Sequence, residues 1–73
     1  MKIALIGHGK MGQTIERLAL ERGHEIVAKI DVDSPRNLNQ ADVAIEFTRP
    51  DVVLENLKWL SETGIPTVVG TTG

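Results

Sequence analysis

Short apolar runs alternate with amphipathic segments along this chain. Four runs are predicted as β-strands, and they cover residues 3–6, 26–30, 43–45 and 67–69. The first, Ile-Ala-Leu-Ile, is an unbroken apolar run that ends at Gly7. Such a run is typical of a parallel strand buried on both faces.

The segments between these runs predict two helices. The first helix is expected to bury four residues at helical spacing, namely Met11, Ile15, Leu18 and Ala19. The second is expected to bury Val53, Leu57 and Leu60. Gly23 and Gly64 are placed to end the two helices, and the second has Thr48 as its predicted N-cap with Pro50 in its first turn. Residues 32–40 carry turn-forming side chains and predict a loop with at most one helical turn.

Strands alternating with helices predict an α/β fold with a parallel sheet. We expect a partial Rossmann-like sheet of about four strands in the order 3-2-1-4, with two main helices. Residues 1–73 then form the N-terminal part of one dinucleotide-binding domain.

Composition narrows the function classes. The chain has no cysteine, which excludes a disulfide framework, a thiolate zinc site and a cysteine nucleophile. Its net charge is −2 without a basic run, so neither a nucleic-acid nor a membrane partner is expected. The carboxylates are scattered and predict no metal site. No apolar stretch reaches the roughly 20 residues of a membrane span, and a cytoplasmic location is the default expectation.

A glycine-rich turn follows the first strand, with the pattern G-x-G-x-x-G over residues 7–12. Gly7 permits the tight turn, Gly9 lets the backbone approach a pyrophosphate, and Gly12 allows close packing of helix and strand. The helix N-terminus favours phosphate. Lys10 either adds positive charge to this phosphate site or is a solvated lysine on an exposed turn. His8 lies in the same loop, where it can contact a cofactor.

Asp31 follows the second strand, 19 residues beyond Gly12. A dinucleotide fold places there the carboxylate that hydrogen-bonds the adenosine ribose. Because a carboxylate repels a 2′-phosphate, NADH is predicted as the cofactor. NADPH stays possible through Arg36 in the following loop, and a solvated strand end is the structural alternative for Asp31.

Two later stretches narrow the family: Ala41–Pro50, with the pattern D-x-x-I-[DE]-F-[ST]-x-P, and Val69–Gly73, which contains G-T-T-G. Together with Gly9-Lys10-Met11-Gly12 they resemble the N-terminal part of the 4-hydroxy-tetrahydrodipicolinate reductase (dihydrodipicolinate reductase) family over the whole chain. Two departures are a glycine loop one residue shorter than in many members and Val32, where members that favour NADPH often have Arg.

The resemblance implies a set of cofactor-binding residues: Gly7, His8, Gly9, Lys10, Met11, Gly12, Asp31, Phe47, Thr48, Arg49, Gly70, Thr71 and Thr72. It also implies hydride transfer from a nicotinamide dinucleotide to a small cyclic dicarboxylate in lysine and diaminopimelate biosynthesis, by a homo-oligomer. The family's catalytic His-His pair and Lys have no match here. No catalytic residue is therefore assigned, and the chain alone is expected to be inactive.

Two other interpretations remain. One is a self-standing or engineered nucleotide-binding module without catalysis, which would leave a sheet edge uncovered and would tend to oligomerise. The other is a different Rossmann oxidoreductase, which explains the glycine turn but not the two later stretches together.

Overall fold

The computed structural model describes residues 1–7, 9–31 and 34–70. It contains six elements: β1 (Lys2–Ile6), α1 (Lys10–Glu21), β2 (Glu25–Ile30), β3 (Val43–Glu46), α2 (Pro50–Thr63) and β4 (Thr67–Val69). All six were predicted, and the bounds of the strands differ from the prediction by at most one residue. No helix within the described ranges is long and apolar enough to cross a membrane.

The four strands form one parallel sheet in the order β2-β1-β3-β4. The predicted α/β, Rossmann-like class is therefore confirmed. The predicted strand order 3-2-1-4 was wrong, because β3 lies beside β1 and not beyond β2. β4 then extends the sheet on the far side of β3.

The segment between β2 and β3 explains this order. Residues 34–42 contain no helix, and they return the chain along the outside of β2, where the Asn39 side-chain amide donates to the Val27 carbonyl at 2.8 Å. Leu38 and Ala41 of this segment pack onto the buried cluster that α2 covers. The linker thus lies against β2, and β3 pairs with the free side of β1 over four residues.

The two faces of the sheet are covered by different helices. On one face, the α2 residues Trp59 and Leu60 pack on Ala4, Ile6, Ala28, Ile30 and Ala44. On the other face, α1 packs through Ala19 and Ile15 on Ile3, Leu5, Ile26, Val43, Ile45 and Phe47. Small residues on the central strands let α2 approach closely, since Ala4 and Ala44 are fully buried neighbours in the ladder.

The buried stripe of α1 differs from the prediction. Gly12 and Ala19 are the buried residues of this helix, whereas Met11 and Leu18 are 43% and 46% exposed. The face of α1 that contacts the sheet is therefore rotated by about one residue from the predicted face, toward Gly12. Gly12 has no side chain, so the helix can come closest to the sheet at this position. In α2, Leu60 is buried and Val53 and Leu57 are half-buried, in the predicted direction.

The start of α2 corrects one assignment. Pro50 occupies the first turn as predicted, and Gly64 ends the helix with φ +74°. Thr48 is not the N-cap: that position is Arg49, and within the described residues no side chain caps it. The Thr48 hydroxyl instead donates to Glu46 at the end of β3.

Two leucines of α2 offer a matched test of this packing. Leu60 is 1% exposed and Leu54 is 77% exposed. We expect Leu60→Ala to lower the free energy of unfolding by about 2–5 kcal/mol through lost burial and a cavity, and Leu54→Ala to change it by no more than about 0.5 kcal/mol. Urea unfolding followed by Trp59 fluorescence measures both, and equal shifts would contradict the assigned α2 face.

Candidate functional site

The carboxyl ends of all four strands meet at one edge of the sheet. Three backbone hydrogen bonds tie these ends into a row: Gly7 N to Ile30 O at 2.8 Å, Phe47 N to Ile6 O at 3.0 Å, and Gly70 N to Glu46 O at 2.7 Å. The row brings Asp31, Gly7, Phe47 and Gly70 to the same edge. The strand order turns around β1 here, and parallel sheets bind ligands at such a switch point.

The glycine turn presents open backbone at this edge. Gly7 and Gly9 both have φ +129°, a conformation that favours glycine. A Cβ built on Gly9 would meet nothing within 4 Å, so the space above it is open. The first hydrogen bond of the helix runs from Gln13 N to Gly9 O at 3.1 Å. The backbone N–H groups before Gln13 belong to the first turn of α1, where the helix itself offers no acceptor. The geometry suits an anion such as a phosphate.

The Phe47 ring fills the space beside the other two glycines. A Cβ on Gly7 would lie 3.0 Å from this ring, and a Cβ on Gly12 would lie only 2.7 Å from it. Because Gly7 and Gly12 have no side chains, the Phe47 ring at the end of β3 can pack directly against the glycine turn. The sequence-based role of Gly12 in close packing is consistent with this contact, although the partner is Phe47.

Two hollows lie at the edge, one on each side of the row. The larger, about 380 Å³, lies on the α2 side, and its polar lining consists of Asp31, Arg36, Thr48, Arg49, Glu55 and Asn56. The smaller, about 200 Å³, lies on the α1 side and is bounded by Gly7, Gly9, Gly12 and Phe47. We call the larger hollow the α2-side cleft.

The two arginines of the α2-side cleft are held differently. Arg36 lies 3.3 Å from the Glu55 carboxylate, and its guanidinium carbon is 5.4 Å from the centre of the Trp59 ring, a cation–π distance. Arg49 lies 3.3 Å from Asp51 and is mostly exposed. Exposed ion pairs of this kind are weak, so both guanidinium groups can turn toward an anionic ligand.

A buried carboxylate binds two of the residues that line the cleft, Thr48 and Asn56. Glu46, at the end of β3, is 0% exposed. It accepts hydrogen bonds from the Thr48 amide at 2.6 Å, from the Thr48 hydroxyl at 2.7 and 2.8 Å, and from the Asn56 amide group at 2.8 Å. Trp59 Nε1 donates to Asn56 Oδ1 at 3.1 Å and joins the network to the cleft wall.

Sequence reasoning missed Glu46 and Asn56. The signal was an acidic residue at the end of an otherwise apolar strand, directly before Phe47 and Thr48. Trp59 is buried in α2, and its indole also lines the cleft.

The structure brings most of the proposed binding residues to one edge. Those placed there are Gly7, Gly9, Gly12, Asp31, Phe47, Thr48, Arg49 and Gly70. Lys10 and Met11 begin α1 with exposed side chains. His8, Thr71 and Thr72 lie outside the described residues. His24 lies at the opposite edge of the sheet, where the N-terminal amine contacts its Nδ1 at 2.9 Å.

Comparison with known proteins gives the family. A family model described as "Dihydrodipicolinate reductase, N-terminus" matches residues 1–73. The chain belongs to this family. The resemblance read from the glycine turn and the two later stretches is thereby confirmed.

Named relatives agree with the family match. A 4-hydroxy-tetrahydrodipicolinate reductase of Christiangramia forsetii is 46% identical over 76 residues, which cover 100% of this chain and 32% of the relative. Reductases of the same name from Staphylococcus aureus and Staphylococcus haemolyticus are 42% and 39% identical over 85 residues, covering 100% of this chain and 34% of each relative. The chain thus spans about a third of the length of these curated relatives.

The contact between Gly12 and Phe47 can be tested by the sign of the stability change that Gly12→Ala causes. Alanine in a helix is normally favoured over glycine by about 0.8–1 kcal/mol. We expect Gly12→Ala to be destabilising instead, by about 1–3 kcal/mol, because its Cβ would overlap the Phe47 ring. In a Phe47→Ala background the same substitution should become neutral or stabilising. Urea unfolding of the four proteins measures this coupling, and an equal cost in both backgrounds would show that the ring is not the obstacle.

Proposed function

We propose that this chain is the nicotinamide-dinucleotide-binding part of a 4-hydroxy-tetrahydrodipicolinate reductase. The observation that carries the proposal is the row of strand ends, in which the glycine turn, Asp31, Phe47 and Gly70 share one edge of a parallel sheet. The family match over the whole chain supports it.

The glycine turn suits the pyrophosphate of the cofactor. Gly9 combines φ +129° with open space where a Cβ would stand, so a phosphate can approach its backbone closely. The amides that begin α1 then face the phosphates with the positive end of the helix dipole. His8, Lys10 and Met11 are proposed to contact the same part of the cofactor.

The α2-side cleft suits the adenosine half. Asp31 lies at its edge and is proposed to accept hydrogen bonds from the ribose hydroxyls, which favours NADH. Arg36 lines the same cleft and is held only by an exposed ion pair and the Trp59 ring. NADPH therefore stays open as a second cofactor, with Arg36 as the group that can meet a 2′-phosphate.

The remaining residues are assigned to the middle and the far end of the cofactor. Phe47, Thr48 and Arg49 would line the cleft at the end of β3, and Gly70, Thr71 and Thr72 would lie near the nicotinamide. The backbone N–H of Gly70 donates a hydrogen bond to Glu46 O at the end of β3. Amides and hydroxyls at this position can hold a carboxamide without adding charge.

When bound, a reduced nicotinamide dinucleotide supplies a hydride for the small cyclic dicarboxylate substrate of lysine and diaminopimelate biosynthesis. In this proposal the residues of this chain bind and orient the cofactor, and none is assigned as proton donor or as a ligand of the substrate carboxylates. We place those groups in the part of the relatives beyond the matched third. The chain alone is expected to bind cofactor without turnover, and the complete enzyme is expected to be a homo-oligomer.

A chimera tests this assignment. In the Christiangramia forsetii reductase, the segment that matches this chain would be replaced by residues 1–73. We expect the folded chimera to bind NADH and to retain reductase activity. A folded chimera that neither binds NADH nor turns over would overturn the proposal. NADH binding without turnover would instead favour a nucleotide-binding module without catalysis.

Cofactor choice has its own test at Asp31. We expect Asp31→Ala to weaken NADH binding about ten- to hundredfold, the scale of a lost hydrogen bond to a charged group, and to weaken NADPH binding less, because the substitution also removes repulsion of the 2′-phosphate. Fluorescence titration with both cofactors measures the ratio. Glu62→Gln, an exposed change on α2 outside the cleft, serves as control. Equal losses for both cofactors would remove the ribose role.

A further inference from the structure

We infer that Glu46 is a positioning residue that turns the Thr48 hydroxyl into a hydrogen-bond acceptor facing the α2-side cleft. The group that the cleft receives there is then a hydrogen-bond donor, a hydroxyl or an amino group, and not a phosphate oxygen. The inference rests on the proposed function, because it names the chemistry by which the cleft recognises part of a nicotinamide dinucleotide.

The direction of the hydrogen bonds follows from the two ends of the network. The indole of Trp59 can only donate, and it donates to Asn56 Oδ1 at 3.1 Å. This bond fixes the orientation of the Asn56 amide, so its NH₂ group faces Glu46 Oε2 at 2.8 Å. At the other end, the Glu46 carboxylate accepts from the Thr48 amide at Oε1 and from the Asn56 amide group at Oε2. Each polar atom between these ends therefore has one possible role.

The Thr48 hydroxyl is the atom on which these directions converge. Its oxygen lies 2.7 and 2.8 Å from the two carboxylate oxygens of Glu46, so its one proton is directed to that carboxylate. Asn56 Nδ2 donates to the same hydroxyl oxygen at 3.2 Å. A hydroxyl has one proton and two lone pairs, which leaves one lone pair of Thr48 for a ligand in the cleft that it lines.

The neighbourhood supports a donor ligand. Asp31 lines the same cleft and also presents acceptor oxygens. The two arginines of the cleft, Arg36 and Arg49, lie against the carboxylates of Glu55 and Asp51. At Thr48 itself a hydroxyl or amino group meets a lone pair, whereas a phosphate oxygen would meet an oxygen that has no proton left to donate.

If the network has only a structural role, the variants should affect stability and ligand binding differently. If Glu46 served only to hold the start of α2 against β3, loss of the Thr48 hydroxyl would lower stability without a specific effect on ligand binding. Thr63, the last residue of α2, offers a matched comparison, because its hydroxyl also makes a hydrogen bond, to Leu60 O at 2.6 Å, outside the cleft.

The experiment compares Thr48→Val, Glu46→Gln and their combination in the full chain and in the chimera, with Thr63→Val and Glu62→Gln as controls. We expect Thr48→Val to weaken NADH binding about three- to tenfold, the range of one net hydrogen bond, and Thr48→Ser to restore it. Glu46→Gln should give a similar loss, because its amide would place a donor against the Thr48 or Asn56 donors. The double variant should bind no more than twofold weaker than Thr48→Val, since both act through one hydroxyl.

Two further readouts complete the test. Titration with ADP-ribose and with reduced nicotinamide mononucleotide shows which half of the cofactor carries the donor, because only that half should lose affinity in Thr48→Val. By NMR, the Thr48 hydroxyl proton should exchange slowly with water in the parent chain and quickly in Glu46→Gln.

The outcomes separate this inference from the proposed function. Wild-type NADH affinity in Thr48→Val, or losses in the two single variants that multiply in the double variant, would overturn the inference while the binding function stands. If the parent protein binds no NADH, the proposed function fails. The hydroxyl exchange rate then still decides the polarity of Thr48, and rapid exchange in the parent chain would overturn it.

Discussion

The arrangement depends on the burial of β1 on both of its faces. Ile3, Leu5 and Ala19 form a buried cluster on the α1 side, whereas Ala4 and Ile6 belong to the cluster under α2. A strand of this kind needs a neighbour on each edge as well as a helix on each face. The chain meets both needs by leaving β1 toward β2 and returning to its other edge as β3. The crevice at the carboxyl edge of the sheet is a consequence of this reversal.

The end of β3 connects the crevice to both layers of the fold. Successive side chains of a strand point to opposite faces, and here Glu46 and Phe47 use this alternation. The Phe47 ring packs beside Gly7 and Gly12 on the α1 side. The Glu46 carboxylate binds Thr48 and Asn56 on the α2 side. A shift of this strand end would therefore move the glycine turn and the cleft together.

The sequence was sufficient to predict the elements and most of the edge. An unbroken apolar run and a glycine turn have local causes, so β1, the turn and α1 could be recognised without tertiary information. The strand order could not, because it depends on where residues 34–42 lie, and this is decided by contacts such as Asn39 with Val27. Thr48 is a second example. Its local sequence favours an N-cap, but in the folded chain its hydroxyl donates to the buried Glu46 instead.

The exposed side chains of Met11 and Leu18 show the same limit in a helix. The apolar spacing predicted that α1 exists. Its contact face, however, is set by Gly12, which has no side chain and therefore does not count as apolar in the pattern. Glu46 was missed for a related reason. An acidic residue at a strand end is normally solvated, and only the fold shows that α2 covers it.

All of the proposed residue roles require a nicotinamide dinucleotide to bind at the carboxyl edge of the sheet. The most direct measurement is a titration of the isotope-labelled chain with NADH, followed by the shifts of its backbone amide signals. We expect the largest shifts at Gly7, Gly9, Asp31, Thr48 and Gly70, all at this edge. Saturating NADH that shifts no amide, or shifts those of His24 and Asp42 at the opposite edge, would contradict it.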